Sequence, residues 1–136
     1  MTTGNDASQP FARRCIVAGS ILMFTGLVLG AIGTHVVADR VSPRELASYE
    51  TAVLYQLLHA LGLVLLGVLA RLTDVTSTLR WAARLMGIGI VVFSGSIYLA
   101  TAGMPHSVLA VAPSGGMALM ASWALLAWHA VAPRGA

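Results

Sequence analysis

The stretch TAVLYQLLHALGLVLLGVLA, residues 51–70, decides the fold. It carries no charge over the ~20 residues that a helix needs to cross ~30 Å of hydrocarbon. Water is absent there, so the backbone must satisfy its own donors and acceptors, and a helix does this within one segment. Three more stretches of the same kind follow from the charge pattern, at 15–37, 81–101 and 116–132. The connections 38–50, 71–80 and 102–115 are short, so sequence neighbours run antiparallel. The sequence therefore predicts an all-α membrane protein, a four-transmembrane-helix up-and-down bundle. Its composition agrees: of 136 residues, 57% are hydrophobic and 10% charged, against roughly a quarter charged in soluble domains.

The charges orient the bundle. All basic residues are arginine. Arg13, Arg14, Arg71, Arg80, Arg84 and Arg134 fall on one side of the spans, Arg40 and Arg44 on the other. The positive-inside rule then makes both termini cytoplasmic, as in a multi-pass protein of the bacterial inner membrane. The net charge of +3 is scattered at helix ends, which points to no nucleic-acid partner. The lipid bilayer is the partner the composition requires; another membrane protein or a second copy is compatible with it. The first apolar run exceeds the about 7 to 15 residues of a signal-peptide core and reads as a retained span. Residues 1–12, without apolar pattern, predict a disordered tail, and residues 13–132 the four-helix domain. Cys15 is the sole cysteine, so it makes no internal disulfide and reads as a small apolar residue.

Local signals place the helix ends. In SPRE, residues 42–45, Ser42 caps, Pro43 takes the first helical position and Glu45 the third. The second helix thus starts outside the bilayer and continues to about Leu72, with Glu45, Tyr49 and Glu50 on an extramembrane overhang. GMP at 103–105 ends the third helix, and Ser114 is the expected cap of the fourth. Gly19, Gly26, Gly30 and Gly33 share one face of the first span, where a neighbouring backbone can approach, and Gly87 opens the equivalent pattern in the third. Trp81 and Trp128 suit the headgroup belt.

Polar groups gather in one half of the bilayer. Tyr55, Gln56 and His59 share a stripe of the second helix; Ser94, Ser96 and Tyr98 lie at the same depth in the third; His35 closes the outer end of the first. These seven form the candidate binding cluster. The opposite halves of the spans are almost featureless. His59 is expected to face Ser94 and Tyr98, a neutral imidazole accepting the Tyr98 hydroxyl proton. His35 points nearly opposite Gly26 on a straight helix. Two histidines could ligate a b-type haem. Zinc would want a third ligand that no cysteine or intramembrane carboxylate supplies. No carboxylate lies inside a span, which disfavours ion-coupled exchange, and no nucleophile, base and oxyanion donor assemble from the spacing.

GAIGTH at 30–35, YETAVLYQLLHALGL at 49–63, FSGSIYLATAG at 93–103 and APSGGMALMASWALLAW at 112–128 resemble the four successive signatures of domain of unknown function family 423. These are small bacterial inner-membrane proteins with mitochondrial relatives called transmembrane protein 256. The resemblance covers about Gly19 to Ala132 and implies a four-helix membrane protein without an assigned activity. It places Tyr55, Gln56, His59, Ser94, Gly95, Ser96 and Tyr98 at signature positions. Thr34 and Val36 replace the family's usual alanine and glycine around His35, which argues against a special turn there. The leading expectation is a non-enzymatic structural, accessory or assembly component without a cofactor. The rivals are a quinone or haem b binder using the cluster, and an oligomeric transporter or channel.

Overall fold

The computed structural model describes residues 8–132. Four helices cross the molecule: α1 (Ser8–Ile32), α2 (Pro43–Leu72), α3 (Ser77–Thr101) and α4 (Ala112–Val131). Each belongs to a helical segment long and apolar enough to span a membrane. α1 packs along α2, α3 along α4, and the two hairpins meet through α2 and α3. Exposed apolar side chains such as Phe24 and Leu72 cover the outside, a surface suited to hydrocarbon and not to water.

The helix ends follow from local chemistry. Ser42 and Glu45 close a full capping box: the Ser42 backbone N–H donates to Glu45 Oε2 at 2.9 Å, and the Glu45 N–H to Ser42 Oγ at 3.4 Å. The Thr76 side chain caps α3 by accepting from the Leu79 N–H at 3.2 Å. At the other end of α3, Gly103 adopts φ +97° and donates to the Ala100 carbonyl, while Met104 donates to that of Leu99. This is a Schellman closure, and Pro105 follows it. A 3₁₀ turn, His106–Val111, then runs directly into α4. Its Leu109 carbonyl already accepts the Ala112 N–H, so the expected cap from Ser114 is not needed. Ser114 instead donates back to the Val111 carbonyl.

Other expectations need correction. α1 begins at Ser8, so residues 8–12 are helical and not part of a disordered tail; residues 1–7 and Arg134 lie outside the described residues. The first helix does not end straight. Residues Gly33–Val37 form a π turn in which the Ala38 N–H reaches the Gly33 carbonyl at 3.0 Å, despite Thr34 and Val36. Tyr49, placed by the sequence on the overhang, is 3% exposed and packs inside the bundle.

Packing follows the glycines of α1. A Cβ on Gly19 would stand 2.7 Å from the Ala60 carbonyl oxygen and 2.9 Å from the Val64 nitrogen. Gly30 meets Val53 of α2 in the same seam. A second seam, absent from the expectations, joins α3 to α4, where a Cβ on Gly115 would overlap the Phe93 backbone. Gly87 belongs to neither: nothing lies within 4 Å of its missing Cβ. The apolar core, from Ala12 and Cys15 through Leu66, Leu79 and Met86 to Ile90, fills the half of the bundle nearer the termini.

Gly19→Ala should therefore force α1 and α2 apart and cost about 1–3 kcal/mol, read as a lower thermal midpoint in detergent. Gly87→Ala should leave that midpoint unchanged or raise it, since the helix gains propensity without a clash. At the start of α2, the Ser42 hydroxyl and then its backbone N–H hold the exposed Glu45 carboxylate below its ordinary pKa. The capping contribution is thus present above the ordinary carboxylate range and lost as pH falls through the depressed value. Ser42→Ala should return the Glu45 titration towards normal, followed by the side-chain carboxyl ¹³C shift.

Candidate functional site

Gln56 stands at the centre of the polar half. Its Nε2 donates to the Leu22 carbonyl of α1 at 2.8 Å and to Thr25 Oγ1 at 3.0 Å. Its Oε1 accepts the Tyr98 hydroxyl of α3 at 2.9 Å. One buried amide thereby joins three helices. The acceptor carbonyl fixes which end of the amide is nitrogen. Gly26 makes the approach possible, since a Cβ there would stand 3.3 Å from Gln56 Nε2 and 2.8 Å from Leu57 Cδ2.

Two further tethers flank this node. The Tyr49 hydroxyl donates to the Leu29 carbonyl at 2.7 Å. Its ring lies across Gly33, where a Cβ would stand 2.7 Å from Tyr49 Cε1, and its centroid is 5.2 Å from that of Tyr98. On the other side, Ser94 Oγ donates to the Ala52 carbonyl at 2.8 Å, fully buried between α2 and α3. Both tethers bind a side chain to a backbone carbonyl of a neighbouring helix, an acceptor whose second lone pair is free even inside a helix.

His59 does something other than expected. It is buried, but its Nδ1 lies 2.6 Å from the Tyr55 carbonyl of its own helix. That carbonyl can only accept, so Nδ1 carries the proton. The Tyr98 hydroxyl goes to Gln56 and not to His59. The reason is angular: three residues turn a helix by ~300°, so His59 points ~60° away from Gln56. His59 is thus carried towards Trp123 of α4, with ring centroids 6.1 Å apart. Tyr55 joins it at 5.7 Å and stacks on Phe93 at 4.9 Å, but is itself exposed.

Of the seven residues of the sequence cluster, the structure joins Gln56, Ser94 and Tyr98 by hydrogen bonds between helices. Tyr55 and His59 form an adjacent aromatic group. Ser96, although buried, donates to the Phe93 carbonyl within α3. His35 is exposed on the π turn. Tyr49 packs on Gly33, two residues before His35, and precedes His59 by ten residues. His35 and His59 therefore stand about 18 Å apart along the bundle, too far to ligate one haem iron. Sequence reasoning missed Tyr49 and Thr25. Tyr49 was detectable, because it lies seven residues before Gln56 and so on the same face. A second tie escaped notice at the far end, where His129 Nδ1 of α4 meets the Thr76 hydroxyl, the cap of α3, at 3.0 Å. Thr76 Oγ1 already accepts the Leu79 N–H. With its hydroxyl donating to His129, the buried Nε2–H of that ring has no partner among the described residues.

A family model described as "Protein of unknown function (DUF423)" matches residues 29–116. The UPF0382 membrane protein YwdK of Bacillus subtilis is 34% identical over 116 residues, 85% of this chain and 94% of the relative. The UPF0382 membrane protein SH2409 of Staphylococcus haemolyticus is 32% identical over 82% of this chain and 89% of its own length. The UPF0382 inner membrane protein YgdD of Escherichia coli K12 is 30% identical over 85% of this chain and 87% of its own. No solved structure matches.

If Gln56 is the node, its bonds are coupled to those of Tyr98. Tyr98→Phe should lower stability in detergent by about 1 kcal/mol. Gln56→Leu should cost about 2–3 kcal/mol, since it strands the Tyr98 hydroxyl in an apolar interior. The double variant should be no less stable than Gln56→Leu alone, because Tyr98→Phe then removes the stranded group. Additive losses in a denaturation cycle would show that the two side chains do not act together.

Proposed function

Because the chain belongs to the DUF423 family of membrane proteins, we propose that it is a non-enzymatic accessory or assembly component of a larger complex in the bacterial inner membrane. Both of its termini are cytoplasmic in this reading, in line with the arginines gathered at that end. One observation carries it: the donors of Tyr49, Gln56, Ser94 and Tyr98 are spent on one another and on the backbones of α1 and α2. Such a cluster fixes the relative positions of helices. A site for a quinone or another polar ligand instead directs a few convergent groups into a cavity. What the bundle presents outwards is an apolar surface contributed by all four helices, with Met117 and Met120 of α4 among the most exposed side chains.

The test is photo-crosslinking in living membranes from photoreactive residues at Met117 and Met120. A discrete adduct with a second polypeptide species is expected, unchanged in a His59→Ala background. Labelling of lipid alone would remove the accessory reading, and a Soret band or a bound quinone in the purified protein would restore the ligand reading.

A further inference from the structure

The half of the bundle nearer the termini holds a feature that the polar lock leaves unused. A groove of about 740 Å³ runs between α1 and α3, floored by Leu63 of α2, within the about 300–1,000 Å³ range of small-molecule sites. Its walls are apolar: Ile21 on one side, Ile88 and Val91 on the other, all of them more than half exposed. Gly87 lies in the wall with open space in front of it. At the end near the termini the groove meets three arginines, Arg14, Arg80 and Arg84. Arg14 to Ile21 and Arg84 to Val91 each span seven residues, about 10 Å of helix. The groove thus descends from the headgroup level through most of one ~15 Å leaflet.

The arginines are poised for an anion. Among the described residues the ion pair is Glu45 with His106, at the opposite end of the bundle, so no carboxylate of the described residues neutralises these three. Arg80 lies over the Phe11 ring at 5.5 Å and Arg84 over the Trp81 ring at 5.1 Å. Stacking uses the face of the guanidinium and leaves its N–H edge for an oxygen acceptor, the geometry that suits phosphate. We infer that this groove seats an anionic phospholipid of that leaflet, its phosphate between Arg14, Arg80 and Arg84 and one acyl chain along Gly87, Ile88 and Val91. A soluble anion has no use for the apolar wall. A lipid whose head group carries its own cation brings an ammonium among three guanidinium groups. The missing side chain at Gly87 keeps the channel open, which gives a role to the one expected packing glycine that packs against nothing.

The experiment uses the full chain purified in a neutral mild detergent, exposed to equimolar phosphatidylglycerol and phosphatidylcholine and read by native mass spectrometry. The wild-type protein should retain phosphatidylglycerol in at least about tenfold preference. Gly87→Leu, which puts a side chain into the groove from a Cβ with no atom within 4 Å, should lose that retention while keeping its lipid-free thermal midpoint. Arg80→Gln combined with Arg84→Gln should lose the preference by a separate route. Gly95→Leu, on the same helix with equally open space but outside the groove, should behave as wild type. Equal retention of the two lipids overturns the head-group assignment, and undiminished retention by Gly87→Leu overturns the groove as the seat. Neither result bears on the polar lock at the other end, so the accessory reading stands or falls separately.

Discussion

Everything in this bundle depends on the rule that a polar group in hydrocarbon must find its partner inside the protein. Gln56 meets it more completely than any other side chain here, with two donated bonds and one accepted, reaching α1 and α3 from α2. Lipid tails are as apolar as leucine, so burying leucine between helices gains little in a membrane. Hydrogen bonds between helices and close backbone contact have to hold the assembly. Gln56 supplies the first and Gly26 the second, at the same place: the bare Cα admits the amide to a backbone that a larger residue would screen.

The same logic explains why the two hairpins are built alike and joined differently. In each hairpin a glycine seam brings backbones together, Gly19 against Ala60 in one and Gly115 against Phe93 in the other. The contact between hairpins, α2 against α3, adds a layer of tethers in the half away from the termini: Ser94 to Ala52, Tyr98 to Gln56, and the tilted rings of Tyr49 and Tyr98. Directional bonds set the register of α2 against α3 where small residues alone would permit sliding.

The two ends of the bundle also do different work. The end away from the termini is held by tethers and by the capping box that starts α2. The end near the termini is filled by an apolar core and edged by arginines that make no ion pair among the described residues, with a groove between α1 and α3. A structural lock and a lipid-facing cleft can coexist in so small a protein because they occupy successive depths and meet only at Leu22, whose carbonyl accepts from Gln56 while the residue lines the cleft.

The four spans, their antiparallel order and the start of α2 were legible in the sequence, because hydrophobic length, connection length and the Ser42–Glu45 pair act locally. So was the crowding of polar residues into one half, since depth along a helix is a matter of counting. Partner choice was not legible. Whether Tyr98 gives its proton to His59 or to Gln56 turns on a ~60° difference around α2 and on which neighbour occupies that side, and only the packed arrangement of three helices decides it. The glycines divide the same way. Gly19 and Gly87 look alike in a chain of apolar residues, yet one lies against the backbone of α2 and the other opens on a cleft. A missing side chain has no meaning until another helix is, or is not, in the space it leaves.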